Sequence, residues 1–95
     1  MRLDPEIANY LKQLIQDKIP GSTIYLFGSR VDEMTRGGDI DVMILTDVPT
    51  EKSLLRKIRM EFIKKFGWRK IDLLNFTHSD KSIFRQIIEN NCIQL

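Results

Sequence analysis

Two carboxylates two residues apart, Asp39 and Asp41, stand at the start of the apolar run Val42-Met43-Ile44-Leu45. Strand side chains alternate faces at about 3.3 Å per residue, which puts the pair on one face with Cα atoms about 6–7 Å apart. Carboxylates so spaced can share two divalent ions, and ions about 3.5–4 Å apart can hold the attacking and leaving oxygens of a phosphoryl or nucleotidyl transfer. Upstream, across a gap of nine residues, lies Gly28-Ser29, directly after a second apolar run, Thr23-Ile24-Tyr25-Leu26-Phe27. Glycine admits close backbone approach, and a turn that opens a helix aims free N–H groups at a phosphate. A third acid, Asp72, sits in Arg69-Lys70-Ile71-Asp72-Leu73-Leu74-Asn75-Phe76 with apolar neighbours on both sides. An unpaired charge there is costly, and a metal ion is one partner that would satisfy it. An acid at the start of a strand is commonly a turn residue. The chemistry is carried by the combination: strand, Gly-Ser, fixed gap, Asp-X-Asp, strand, and a further strand acid.

The elements that must position these residues can be read in order. Asp4-Pro5 is an N-cap followed by a first-turn proline. Ile7, Tyr10, Leu11, Leu14 and Ile15 then repeat at helical spacing, which predicts an amphipathic helix ending before Pro20-Gly21. A strand over 22–27 follows, and Gly28-Ser29 opens a short helical turn to about Glu33. Thr35 to Gly38 form a loop, and a strand covers 39–45. Pro49-Thr50 marks the start of a second long helix whose buried face carries Leu54, Leu55, Ile58, Phe62 and Phe66, with Gly67 as its C-cap. After a strand over 69–76, Thr77 to Asp80 cap a last helix with Ile83, Phe84, Ile87 and Ile88 expected to be buried. The order predicts an α/β (α+β) fold, a small mixed sheet with helices packed on one side. The nine-residue connection is too short for a parallel crossover. The first two strands are therefore expected to be antiparallel, with Asp39, Asp41 and Asp72 on an open face.

Composition narrows the class. Ninety-five residues, 42% apolar and 29% charged, fit one soluble domain over residues 1–95. A net charge of +2 is too balanced for a general nucleic-acid binder, so direct nucleic-acid binding is not expected. No stretch approaches the ~20 apolar residues of a membrane span, and no apolar run follows Arg2 as in a signal peptide. One cysteine, Cys92, fits a reducing compartment, and with a single histidine zinc is not expected. The expected location is the cytoplasm.

Leu26-Phe27-Gly28-Ser29-Arg30-Val31-Asp32, Arg36-Gly37-Gly38-Asp39-Ile40-Asp41 and Lys70-Ile71-Asp72-Leu73 together resemble the minimal nucleotidyltransferases of the DNA polymerase β superfamily. More narrowly, they resemble the small stand-alone branch that pairs with a separate all-helical protein of the HEPN type. The resemblance covers the chain from about residue 20 to the C-terminus. It implies the polymerase β-like nucleotidyltransferase fold, with the triphosphate on Gly28 and Ser29 and magnesium, as two ions, on Asp39, Asp41 and Asp72; Arg30, next in the chain, could touch the same phosphates or face solvent. It also implies ATP as substrate and a hetero-oligomer in which this chain is the antitoxin of a HEPN toxin and moves AMP to a hydroxyl of it. Many relatives have ten residues rather than nine between the Ser and the first Asp, and often Ser at the position of Gly38. The shorter loop reads as a subfamily mark. Two other readings share the motif: a silent module that neutralises its partner by contact, and a transferase subunit acting on a small molecule or an RNA end. Contact alone requires none of the acids.

Other residues have ordinary roles beside any functional one. His78 reads as a helix-entry residue, Trp68 as core or interface, and Ser29, without an adjacent base, as a phosphate ligand rather than a nucleophile. Arg36 flanks the acids, and Lys70 is expected to share the face of Asp72. Lys52, Arg56, Lys57, Arg59, Lys64, Lys65, Arg69 and Lys70 form a basic run that is either a solvated helix face or a surface for triphosphate or an acidic partner. Trp68, Phe76, Ile93 and Leu95 are apolar residues beyond one core's needs, candidates for an exposed patch.

Overall fold

A computed structural model of the chain describes residues 4–27 and 40–95. The turn at Gly28-Ser29-Arg30, the short helix to Glu33, the glycine loop and Asp39 lie outside the described residues. The elements are α1 (Pro5–Lys18), β1 (Thr23–Phe27), β2 (Ile40–Thr46), α2 (Lys52–Phe66), β3 (Ile71–Thr77), α3 (Ile83–Glu89) and β4 (Cys92–Gln94). The strands form one mixed sheet in the order β3-β2-β1-β4. β1 runs antiparallel to β2, as the short connection requires. β2 and β3, joined through α2, are parallel.

Local chemistry accounts for the helix ends. Asp4 Oδ1 accepts the Glu6 N–H at 2.8 Å, so Asp4 caps α1 and Pro5 occupies its first turn. Gly67 ends α2 at φ +85°, a left-handed conformation that a side chain would strain. α2 starts later than Pro49-Thr50 suggests, with Glu51 as its N-cap. The delay comes from the sheet: Asn75 on β3 accepts the Thr50 N–H at 2.7 Å, and its amide donates to Ile44 O at 2.9 Å and Thr46 Oγ1 at 3.0 Å. That side chain pins the β2–α2 corner before the helix can begin.

α1 and α2 cover one face of the sheet. Leu11, Ile15, Ile24, Leu26, Ile40, Val42, Ile44, Ile58, Phe62 and Ile71 bury there, with Leu54, Leu55 and Phe66 packed at the margin. Tyr10, Phe62 and Phe66 join the two helices through ring contacts of 5.1–6.5 Å. The second face carries a smaller cluster of Met43, Leu45 and Ile88, flanked by Tyr25, Phe27, Leu74, Phe76 and Cys92. The two long helices therefore share a side as expected, while the short α3 seats Ile88 on the other.

Two expectations about apolar residues are corrected. In α3 only Ile88 is buried; Ile83, Phe84 and Ile87 are 75%, 53% and 56% exposed. Periodicity tells which residues share a side of a helix, but a helix of two turns over the sheet finds opposing surface for one of them. Trp68, expected as core or interface and as part of an exposed patch, is 83% exposed, which removes the core alternative. At the C-terminus, Cys92–Gln94 add to β1 as an antiparallel edge strand, and Leu95 packs on the main core. Ile93, paired with Leu26, and Phe76, beneath the ring of Phe84 at 6.1 Å, are likewise partly covered. No helix among the described residues is long and apolar enough to cross a membrane.

Candidate active site

The polarity of the strands concentrates the predicted chemistry at one end of the sheet. Because β2 and β3 are parallel, their first residues lie together; because β1 is antiparallel to β2, its last residue lies beside them. In register, Phe27 pairs with Asp41, and Asp41 pairs with Asp72. Adjacent strands lie about 4.8 Å apart, so three neighbouring positions in one row carry the end of the Gly-Ser strand and two acids. The row is tied at its margin: Ile40 N–H donates to Lys70 O at 3.0 Å, which extends the pairing of β2 and β3 past Asp72.

The acids share a face as well as a row. Ile40, Val42 and Ile71, their sequence neighbours, are buried under α1 and α2. Alternation therefore sends Asp41 and Asp72 to the opposite face, with Tyr25, Phe27, Met43, Leu74 and Phe76. Both acids are half-buried, which leaves them open to a ligand and to water. The pair thus sets two carboxylates at adjacent positions on one face of the sheet. Two of the three predicted acids are thus brought together; Asp39, Gly28, Ser29 and Arg30 lie outside the described residues. Among the described residues no group of three or more His, Cys, Asp or Glu side chains gathers, at the acid row or elsewhere.

Other residues are placed away from this row. His78 follows the last residue of β3, about 20 Å along the strand from Asp72 at 3.3 Å per residue. There its N–H donates to Thr46 O at 3.0 Å and its Nε2 lies 3.8 Å from Asp47. A base role for it at the acids is excluded by that distance. A cleft of about 600 Å³ between the Ile19–Gly21 turn, the Thr46–Thr50 corner and α2 lies at the same far end. The basic residues from Lys52 to Lys65 are exposed on α2, with the sheet between them and the acids, so they do not form the bed of a triphosphate held on the acid face. Lys70 stands one residue before β3, its C=O bonded to Ile40 N–H. Asn75 was missed as a structural residue, since an Asn between Leu74 and Phe76 carries no local sign that it will cap a corner from the neighbouring strand.

The sequence model of the polymerase β nucleotidyltransferases matches residues 7–94. Comparison with curated protein sequences finds no match. Among solved structures, a complex of the tri-AMPylated HEPN toxin of Shewanella oneidensis with an MNT antitoxin contains a chain of the same fold. It has a TM-score of 0.71 and 22% identity over 94% of this chain and 68% of that one. A mutant of the toxin–antitoxin pair MntA–HpeT gives 0.76 and 24%, over 99% and 72%. A toxin–antitoxin structure with AMP-PNP gives 0.73 and 24%, over 90% and 69%. Identities at this level speak for the fold. The match from residue 7 to residue 94, together with a mixed sheet that aligns the ends of β1, β2 and β3, shows that the chain belongs to the polymerase β nucleotidyltransferase family.

Proposed function

We propose that this chain is the nucleotidyltransferase of a toxin–antitoxin pair, moving AMP from ATP to a hydroxyl of a HEPN-type helical partner in the cytoplasm. The observation that carries the reading is the register of Asp41 with Asp72, one strand over from the residue that precedes Gly28-Ser29. A silent contact module has no need of two acids paired in one row. The AMP-modified HEPN toxin and the AMP-PNP complex among the structural neighbours support the same substrate and acceptor.

Half-buried carboxylates reached by water suit magnesium, which takes hard oxygen donors and keeps part of its water shell. Asp39, Asp41 and Asp72 would hold it, and its chemistry there is to neutralise the triphosphate and the charge that develops during transfer. Gly28, Ser29 and Arg30 hold the phosphates. Asp72, on the outer strand, faces the side from which an acceptor arrives and takes the proton of its hydroxyl. The hydroxyl oxygen then bonds to the α-phosphorus of ATP while the bond to the β-phosphate oxygen breaks, and pyrophosphate leaves.

The test is to incubate the purified pair with ATP and magnesium and to weigh the partner by intact-mass spectrometry. The partner is expected to gain whole AMP residues with the native chain and none with Asp39→Asn or Asp41→Asn, both variants remaining folded. A partner whose mass stays unchanged, yet whose activity the Asp39→Asn variant still blocks, refutes transfer and leaves neutralisation by contact.

A further inference from the structure

β3 is the outermost strand at one side of the sheet. Lys70 O accepts from Ile40 N–H, and His78 N–H donates to Thr46 O, each at 3.0 Å. These two bonds bracket the strand. In a parallel pair, alternate residues turn both backbone groups to the same neighbour, so the even-numbered residues between them face β2. The N–H and C=O groups of Ile71, Leu73 and Asn75 therefore face outward, while Thr77 C=O at the end of the strand accepts the Asp80 N–H at 3.1 Å. Edge strands are usually blunted by proline, lysine or a bulge. This one holds neither proline nor lysine over seven residues.

Beside that edge runs a groove of about 500 Å³ between β3 and α2, lined by Leu73, Asn75, Lys52, Arg56 and Arg59 among others, and by no carboxylate. Positions 52, 56 and 59 share one side of α2, with rises of about 6 and 4.5 Å between them. Alternate residues of a strand are about 6.6 Å apart, a comparable step. None of the three cations makes an ion pair among the described residues. The groove thus offers a row of backbone donors and acceptors and, parallel to it, a row of unneutralised positive charge.

We propose that this groove receives an extended acidic segment of the protein partner, which adds to β3 as a further strand and turns acidic side chains at alternate positions toward Lys52, Arg56 and Arg59. Strand addition of this kind takes its affinity from the main chain and its specificity from alternate side chains. A peptide fits better than a nucleic acid strand because the edge presents N–H and C=O groups in turn. A phosphodiester backbone offers acceptors only and leaves the carbonyls unpaired. The groove reaches Leu73, next to Asp72, so a segment bound in it passes the acid row at its outer side. This assignment rests on the reading that a protein supplies the acceptor, and it names how that protein is held.

The test is a binding measurement with neither nucleotide nor magnesium, so it does not depend on transfer. A short fluorescein-labelled peptide alternating glutamate and valine over one strand length is titrated with the native chain, followed by anisotropy at low salt. Saturable binding is expected, about tenfold weaker for the Arg56→Glu/Arg59→Glu variant and little changed for Lys64→Glu/Lys81→Glu, which alters net charge equally. The same peptide N-methylated at alternate residues keeps its charge and is expected to lose binding. Equal loss in both double variants, or undiminished binding of the N-methylated peptide, overturns strand addition, as does tighter binding of a single-stranded oligouridine of matched charge. Circular dichroism melts of the variants establish that they are folded.

Discussion

Asp72→Asn should separate stability from activity in opposite directions. Asp72 and Asp41 occupy paired positions on neighbouring strands and the same face, so their side chains leave the backbone about 5 Å apart, the spacing of adjacent strands. Two like charges at that distance repel by about 0.8 kcal/mol in water and about 3 kcal/mol at an effective dielectric constant near 20. Half-exposed side chains lie toward the watery limit, and the amide of asparagine keeps the shape while removing the charge. The variant is therefore expected to be more stable than the native chain without ligand by about 1 kcal/mol, a rise in Tm of about 4–8 °C for a domain of this size. The gain shrinks as salt screens the charges. Magnesium with ATP reverses the ranking, because a ligand that binds only the folded state stabilises it by mass action, and the native chain alone retains the full set of acids. The assay is a thermal melt by circular dichroism for both proteins, with and without magnesium and ATP, beside the transfer assay. An Asp72→Asn protein that melts below the native one without ligand, or that keeps the full stabilisation by magnesium and ATP, refutes the account of the acid row.

Three further outcomes test the framework that holds the row. Phe62→Ala removes a ring that is 0% exposed and in contact with Tyr10 and Phe66; it is expected to cost about 3–5 kcal/mol in urea unfolding. Asn75→Leu leaves the Thr50 N–H without its 2.7 Å acceptor and is expected to cost about 1–3 kcal/mol. Hydrogen exchange at the amide of residue 50 reports the loss directly. Asp80 accepts the Ser82 N–H at 2.7 Å ahead of α3, and that hydrogen bond holds its carboxyl below the usual range. A depressed pKa contributes stability above the unfolded value that is lost as pH falls through the folded one. α3 is therefore expected to loosen at acid pH below 3.8, and Asp80→Asn to remove that dependence. NMR titration of the α3 amides follows both.

The Gly67–Lys70 corner and the α3 helix border the acid row differently. Lys70 is bonded to Ile40 and so moves with the row. α3 leaves Ile83, Phe84 and Ile87 exposed beside the acid-bearing face. The acid-bearing face is thus partly roofed by α3 and apolar along one flank.

Alternation and turn chemistry are local properties, and what depends on them was legible in the chain. Asp4-Pro5 and Gly67 set helix ends through their own backbone preferences, and the short apolar run Val42-Met43-Ile44-Leu45 pointed to a strand. The short link between Phe27 and Asp39 forced an antiparallel pair, because a parallel crossover needs more residues than it has. The family resemblance of the Gly-Ser and Asp-X-Asp motifs named the fold, and residues 7–94 match that family. Contacts between distant segments were another matter. That Asp72 stands opposite Asp41 rather than one residue off is a matter of register, set by the packing of Ile71 and Leu73 under α2 and by the Lys70–Ile40 bond. That Asn75 caps the corner before α2, that Cys92–Gln94 close the sheet as β4, and that α3 buries Ile88 alone all depend on which surface another element presents. Sequence spacing states which side a residue takes; only the assembled sheet decides what lies on that side.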